Sequence, residues 1–217
     1  MFTGIIESTG ILNSLQSRGR GFHISVETNS SFQLQNRVKL GDSIACNGVC
    51  LTATAINNTT FEADVSAETV RCTAFRNYRR GRLLNLELAC TPTTHLGGHI
   101  VQGHVDGIGT IVAMDSLDDA VDVRVKAPED MLRYIAPKGS ITVDGISLTV
   151  NDIQKDIFRL TLIPHTQKEV SFSSFKEGEE VNLEADVLAR YLERLINCKS
   201  SNNGLTMQSL MENGFFN

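Results

Sequence analysis

Runs of four to six residues in which apolar and polar positions alternate recur along the chain: Phe22-His23-Ile24-Ser25-Val26-Glu27, Ser43-Ile44-Ala45-Cys46, Val121-Asp122-Val123-Arg124-Val125 and Phe158-Arg159-Leu160-Thr161-Leu162-Ile163. A period of two places one side of each run in a core, so these runs are predicted strands. Turn signals separate them at Asn47-Gly48, Asn57-Asn58, Asp144-Gly145 and Gln154-Lys155-Asp156. Asn-Gly and Asp-Gly supply the positive φ of a tight hairpin. The strands that follow, Val49 to Ile56 and Ile146 to Ile153, are rich in β-branched residues. Helical character is scarce. One short helix per half is predicted, between Thr28 and Lys39 and over Pro128 to Ile135, the latter with Pro at a first helical position and acids in the first turn.

The pattern is doubled. Gly41-Asp42-Ser43-Ile44-Ala45-Cys46-Asn47-Gly48-Val49-Cys50-Leu51-Thr52 matches Lys138-Gly139-Ser140-Ile141-Thr142-Val143-Asp144-Gly145-Ile146-Ser147-Leu148-Thr149 at a spacing of 97. The same spacing pairs Thr69 with Thr166, Gly81 with Gly178, and Asn85-Leu86-Glu87 with Asn182-Leu183-Glu184. The start, Phe2 to Glu7, aligns on Val101 to Asp106 at 99, so two residues are lost early in the second copy. Six short strands per copy with open edges would invite aggregation, and a small closed barrel removes the edges. The fold expected is all-β: two tandem six-stranded barrels over 1–97 and 98–186, and a helical segment over 187–217.

That segment follows from a change of period. Val187, Leu188, Tyr191, Leu192, Leu195 and Ile196 recur at helical spacing, with Asp186 placed as N-cap and a second short helix over Leu205 to Glu212. With two barrel cores already complete, the apolar face points to self-association.

Composition narrows the class. Of 217 residues 41% are hydrophobic and 21% charged, as in an ordinary globular protein, and no apolar run approaches the ~20 residues of a membrane span. The net charge of −5 with scattered Lys and Arg argues against a nucleic-acid partner. Arg76, Arg79, Arg80 and Arg82 are read as a solvated turn. The first residues lack the marks of a secretory or transit signal. Five cysteines (46, 50, 72, 90, 198) without paired spacing are expected to be reduced, in a cytoplasmic protein. His95, His99 and His104 do not share a metal-binding spacing, so no metal is expected.

The opening Met1-Phe2-Thr3-Gly4-Ile5-Ile6-Glu7, the doubled Asn/Asp-Gly-x-Cys/Ser-Leu-Thr, the run Gly97-Gly98-His99-Ile100-Val101-Gln102-Gly103-His104-Val105-Asp106-Gly107, Ile163-Pro164-His165-Thr166 and the ending Leu210 to Phe215 together resemble the riboflavin synthase family over almost the whole chain. The resemblance implies Greek-key barrels, a homotrimer joined through the C-terminal helix, and a site between the first barrel of one subunit and the second of a neighbour. It implies a transferase that takes two molecules of 6,7-dimethyl-8-ribityllumazine and moves a four-carbon unit between them without cofactor or metal. Lumazine synthase is a candidate partner.

By the same resemblance Cys50, His104, Ser43 and Asp186 are the catalytic candidates. Substrate would meet Gly4, Ile5, Ile6, Cys50, Leu51, Thr52, Asp64, Val65, Ser66, Ala67, Glu68, Thr69, Gly103, His104, Val105, Lys138, Ser147, Leu148, Thr149, Ile163, Pro164, His165 and Thr166. Three catalytic candidates differ between copies: Cys50 faces Ser147, His104 faces Ile5 and Asp186 faces Ala89, whereas Ser43 is matched by Ser140. Bland roles stand beside these: Cys50 as core filler, Asp186 as helix cap, Lys138 as a turn residue. A lumazine- or flavin-holding antenna protein shares the repeat and is the main alternative. A flavin-binding oxidoreductase barrel would need a glycine-rich nucleotide turn that does not appear.

Overall fold

The computed structural model describes residues 1–164, 166, 170–171, 175–199 and 211. Twelve strands form two closed antiparallel barrels. The first contains β1 (Ser8–Arg18), β2 (Gly21–Thr28), β3 (Ser43–Cys46), β4 (Val49–Ile56), β5 (Thr60–Val65) and β6 (Leu83–Leu88). The second contains β7 (Gly107–Ser116), β8 (Val121–Lys126), β9 (Ser140–Val143), β10 (Ile146–Gln154), β11 (Ile157–Leu162) and β12 (Glu180–Ala185). Around the first barrel the order is β1-β2-β5-β4-β3-β6, and the second repeats it as β7-β8-β11-β10-β9-β12. Closure pairs every strand on both sides, which removes the exposed edges that short β-strands would otherwise present.

Alternation decides what fills each barrel. Leu12, Ile24, Ile44, Leu51, Phe61 and Leu84 are buried in the first core, and Ile111, Val123, Ile141, Val150, Phe158 and Leu183 in the second. Each barrel interior is therefore solid, and the residues between these positions, among them Cys50 and Thr52, stand on the outer face.

The helical content exceeds the expectation of one short helix per barrel. In the first barrel α1 is a single turn (Leu34–Arg37), preceded by a 3-10 turn over Ser30–Phe32. A further helix, α2 (Ala67–Cys72), follows β5, with Ser66 Oγ accepting from Thr69 N–H at 3.0 Å as its cap. A 3-10 turn (Ala74–Asn77) comes next. The short apolar pattern of α2 gave no periodic signal; the cap alone marks it. In the second barrel the segment Glu129–Tyr134 is a 3-10 helix.

Residues 1–186 form one compact unit and residues from 187 onward a second. In the first unit the barrels meet through their duplicated hairpins. A Cβ on Gly48 would stand 2.8 Å from Gly145 N, and one on Gly145 would stand 2.7 Å from Gly48 N, so backbone touches backbone. Asn47 and Asp144, both at positive φ, are fully buried beside them. Asn182 Nδ2 donates to Asn47 O at 2.9 Å, and Asn85 Nδ2 donates to Asp144 O at 3.0 Å. Asn182 Oδ1 accepts from Ala74 N–H, while Asn85 Oδ1 accepts from Ser171 N–H. The two asparagines thus satisfy equivalent backbone groups across the seam.

The arginine cluster departs from the solvated turn expected of it. Arg82 is paired with Glu179 and lies 4.0 Å from Asp144, with only 15% of its side chain exposed, and Arg76 is paired with Glu180. These strand-connecting arginines lie against the second barrel, a tertiary contact to which local sequence is blind.

Burial raises the Asp144 carboxyl to about 7, against the pull of the Asn182 N–H and Arg82. A carboxyl whose folded value lies above its usual 3.8 binds protons more tightly when folded, so ionising it costs stability as pH rises from about 4 to about 7, with no further loss above. Asn47 occupies the same turn in the first copy, so Asp144→Asn fits the backbone. Thermal melts of both proteins should show the wild type losing stability relative to the variant across that window, and a flat difference above it. A difference independent of pH would place the ionisation elsewhere.

In the second unit α3 (Val187–Lys199) carries Leu188, Tyr191, Leu192, Leu195 and Ile196 in exposed positions. The second helix expected over Leu205 to Glu212 lies outside the described residues except for Met211. Among the described residues no helix is long and apolar enough to cross a membrane.

Candidate active site

The leading segments of the two repeats determine where the candidate residues stand. Phe2 and Val101 pair as an antiparallel bridge, each N–H donating to the other's carbonyl, at 2.7 and 3.1 Å. A buried carboxylate holds each segment to its own barrel. Glu87 accepts from Thr3 N–H, Thr3 Oγ1 and Gly4 N–H at 2.6, 2.7 and 2.9 Å. Glu184 accepts from the N–H groups of Gln102, Gly103 and His104 at 2.6, 2.9 and 3.1 Å. Burial raises both carboxyls, Glu184 to about 7, and the backbone donors oppose the rise.

From these anchors each segment crosses to the other barrel. Cys50 N–H donates to Gly103 O at 2.9 Å, and Ser147 N–H donates to Gly4 O at 2.7 Å. Val105 packs against the first core and Ile6 against the second. Gly4 and Gly103 both have φ near +75°, at +74° and +78°. A Cβ on Gly103 would stand 2.7 Å from Cys50 Cβ, and one on Gly4 would stand 2.6 Å from Ser147 Cβ. Both positions need glycine for conformation and for space.

Two composite half-sites result. The first brings Cys50, Leu51 and Thr52 of β4 together with Gly103, His104 and Val105, and the end of β5 with the α2 cap and first turn carries Asp64 to Thr69. Within it Cys50 is half-buried and free, Thr52 exposed, Val65 buried and Leu51 turned into the core. Asp64 is engaged by His23 Nδ1 at 2.7 Å and by Arg18 at 3.0 Å, and the His23 bond in particular holds its carboxyl below the usual value. Glu68 pairs with Arg71 in α2. The second half-site brings Ser147, Leu148 and Thr149 of β10 together with Gly4, Ile5 and Ile6. Exposed Lys138, at φ +66°, precedes it with its N–H on Val150 O at 2.7 Å, and Ile163, Pro164 and Thr166 follow β11. His165 lies outside the described residues.

The four catalytic candidates are dispersed within one chain. Cys50 and the exposed His104 belong to the first half-site. Ser43 pairs with Thr52 across β3 and β4 and lines a cleft of about 780 Å³ with Ile5, Arg37, Glu87, Ala89 and His95. Asp186 follows β12 on the second barrel.

The doubled pattern gives no sign that the leading segments are exchanged between barrels. Sequence reasoning also passed over Glu87 and Glu184, although the doubled Asn-Leu-Glu triplet marked them. His99 drew attention only as a metal candidate, yet its Nδ1 lies 2.7 Å from Ser147 Oγ.

Two equivalent barrels, each closed by the other's leading segment over an outward-facing strand pair, define a duplicated binding fold. The model of the lumazine binding domain matches residues 3–89 and again 102–186, which makes the chain a tandem lumazine-binding-domain protein. It is 44% identical to the riboflavin synthase of Photobacterium phosphoreum over 218 residues, covering 99% of each chain. It is 38% identical to that of Bacillus subtilis (strain 168), covering 99% of this chain and all of the relative. The chain belongs to the riboflavin synthase family. In fold it also matches the structure of LumP complexed with riboflavin, with a TM-score of 0.79 at 23% identity, over 85% of this chain and 99% of that one.

Proposed function

We propose that the chain catalyses the dismutation of two 6,7-dimethyl-8-ribityllumazine molecules, transferring a four-carbon unit to give riboflavin and 5-amino-6-(ribitylamino)uracil. The pair of composite half-sites carries this reading. A reaction between two identical molecules calls for two similar cradles, and the repeat supplies them in one chain, with Cys50 in one where Ser147 stands in the other. Holding both substrates in register replaces a bimolecular encounter, an advantage of about 7–11 kcal/mol in well-oriented systems.

In this reading the first barrel of one subunit faces the second barrel of a neighbour in a cytoplasmic homotrimer, which would bring Asp186 of one chain toward Cys50, Ser43 and His104 of another. The exposed apolar face of α3 supports assembly through residues 187–217. Outside that segment the division is 1–97 and 98–186, each barrel forming one lumazine cradle with the other's leading segment. Lumazine synthase, whose product is the substrate, is the proposed partner.

Incubation with 6,7-dimethyl-8-ribityllumazine tests the proposal. Riboflavin should appear at one molecule per two lumazines consumed, over many turnovers. Stable bound fluorescence with no riboflavin would replace the enzyme by an antenna protein.

A further inference from the structure

The two half-sites differ in the proton chemistry they can support. In the second, His99 Nδ1 lies 2.7 Å from Ser147 Oγ. The imidazole is buried, and its Nε2 has no hydrogen-bond partner among the described residues. The approach depends on the residue before it. A Cβ on Gly98 would stand 2.2 Å from Thr3 O and 2.8 Å from Ser147 Oγ, so glycine is needed for the chain to pass this close. His99 N–H donates to Thr3 O at 3.1 Å, which fixes the ring's backbone to the same crossing segment that covers Ser147.

Burial lowers the His99 pKa from its ordinary value, while the charge of Asp186 acts to raise it. The ring is therefore neutral at rest, able to accept a proton, and placed where a carboxylate favours the imidazolium once formed. A hydroxyl is thus paired with an imidazole whose charged form a nearby acid favours. In the first half-site the corresponding residue is Cys50, a free thiol whose Sγ has no hydrogen-bonded imidazole among the described residues.

We propose that the second barrel's half-site is where the C7 methyl of one bound lumazine loses its proton, with Ser147 touching the methyl and His99 positioning Ser147 and taking up its hydroxyl proton. This rests on the dismutation reading and assigns its two roles. Ser147 Oγ bonds to the methyl proton as its own hydroxyl proton passes to His99 Nδ1. The electron pair of the broken C–H bond stays delocalised over the pteridine ring, Ser147 keeps the methyl proton as its new hydroxyl proton, and the imidazolium later releases its proton to water. The lumazine held beside Cys50 is then the one attacked.

Methyl exchange isolates this step. In D2O, loss of the C7 methyl proton signal of enzyme-bound lumazine is followed by NMR, corrected for the rate in free solution, in a Cys50→Ser background that slows consumption. His99→Gln and Ser147→Ala should each reduce the exchange rate at least about tenfold, with the ligand dissociation constant changed less than about threefold. Combining them should reduce it no further than the more damaging single change, as expected for groups acting as a unit. Removing the half-buried Ser147 hydroxyl leaves the fold intact, so Ser147→Ala carries the test even if His99→Gln misfolds. Exchange in Ser147→Ala within twofold of its parent overturns the assignment. If the wild type forms riboflavin, that result removes this inference alone; a wild type that forms none removes the dismutation reading as well.

Discussion

Asn182→Ala is expected to destabilise the two-barrel unit more than any other single polar substitution in it. The side chain donates to Asn47 O at 2.9 Å and to the Tyr78 hydroxyl at 3.3 Å, and accepts from Ala74 N–H at 2.8 Å. All four residues are buried, and Asn182 itself is 1% exposed. Alanine would leave the Ala74 N–H and the Asn47 carbonyl without partners away from water. At about 1–3 kcal/mol for each buried group left unsatisfied, the cost is about 2–6 kcal/mol. Urea titration should show the unfolding free energy falling by that amount, seen as a lower midpoint with little change in slope, because the surface exposed on unfolding is nearly the same. Thr54→Ala, which removes an exposed hydroxyl bonded to Glu62 O at 3.1 Å, serves as control and should lie within about 0.5 kcal/mol of the wild type. A loss for Asn182→Ala no larger than this control would mean that water replaces the asparagine at the seam.

Cys50→Ser is expected to lower turnover by about a hundredfold or more while leaving lumazine affinity nearly unchanged. Serine already occupies the equivalent place at 147, and the Cys50 backbone N–H is committed to Gly103 O, so neither the strand nor the crossing segment should move. What is lost is the thiol on the outer face of β4. Thr52→Ala, one exposed position further along the same face, should instead weaken binding with a smaller effect on kcat. Steady-state kinetics with fluorescence titration of the ligand separate the two. Equal losses of affinity and turnover in both variants would remove the distinction between a thiol that acts and a hydroxyl that holds.

Much of this architecture is legible in the chain. The alternating runs mark the strands, Asn47-Gly48 and Asp144-Gly145 fix the hairpins, and the spacing of 97 states that whatever one half builds the other builds too. The same turns proved to have a second purpose: they are the contact between barrels, which explains why Asn47 and Asp144 are buried where a hairpin tip is normally exposed. The arginines at 76 and 82 read as solvated because their partners, Glu180 and Glu179, are about a hundred positions away in sequence. A short helix such as α2 lacks the length to show a period at all.

The candidate site divides along the same line. Composition, alternation and the repeat determined two closed barrels and named the residues that differ between them, because these properties depend on each residue and its near neighbours. Whether Gly4-Ile5-Ile6 covers its own barrel or the other could not be read there, since both arrangements bury the same residues against the same kind of strand. Tertiary structure decided it: the Phe2 and Val101 bridge and the hairpin seam bring the halves close enough for each leading segment to cross. That crossing places Gly103 on Cys50 and Gly4 on Ser147, and sets His99 beside Ser147 alone.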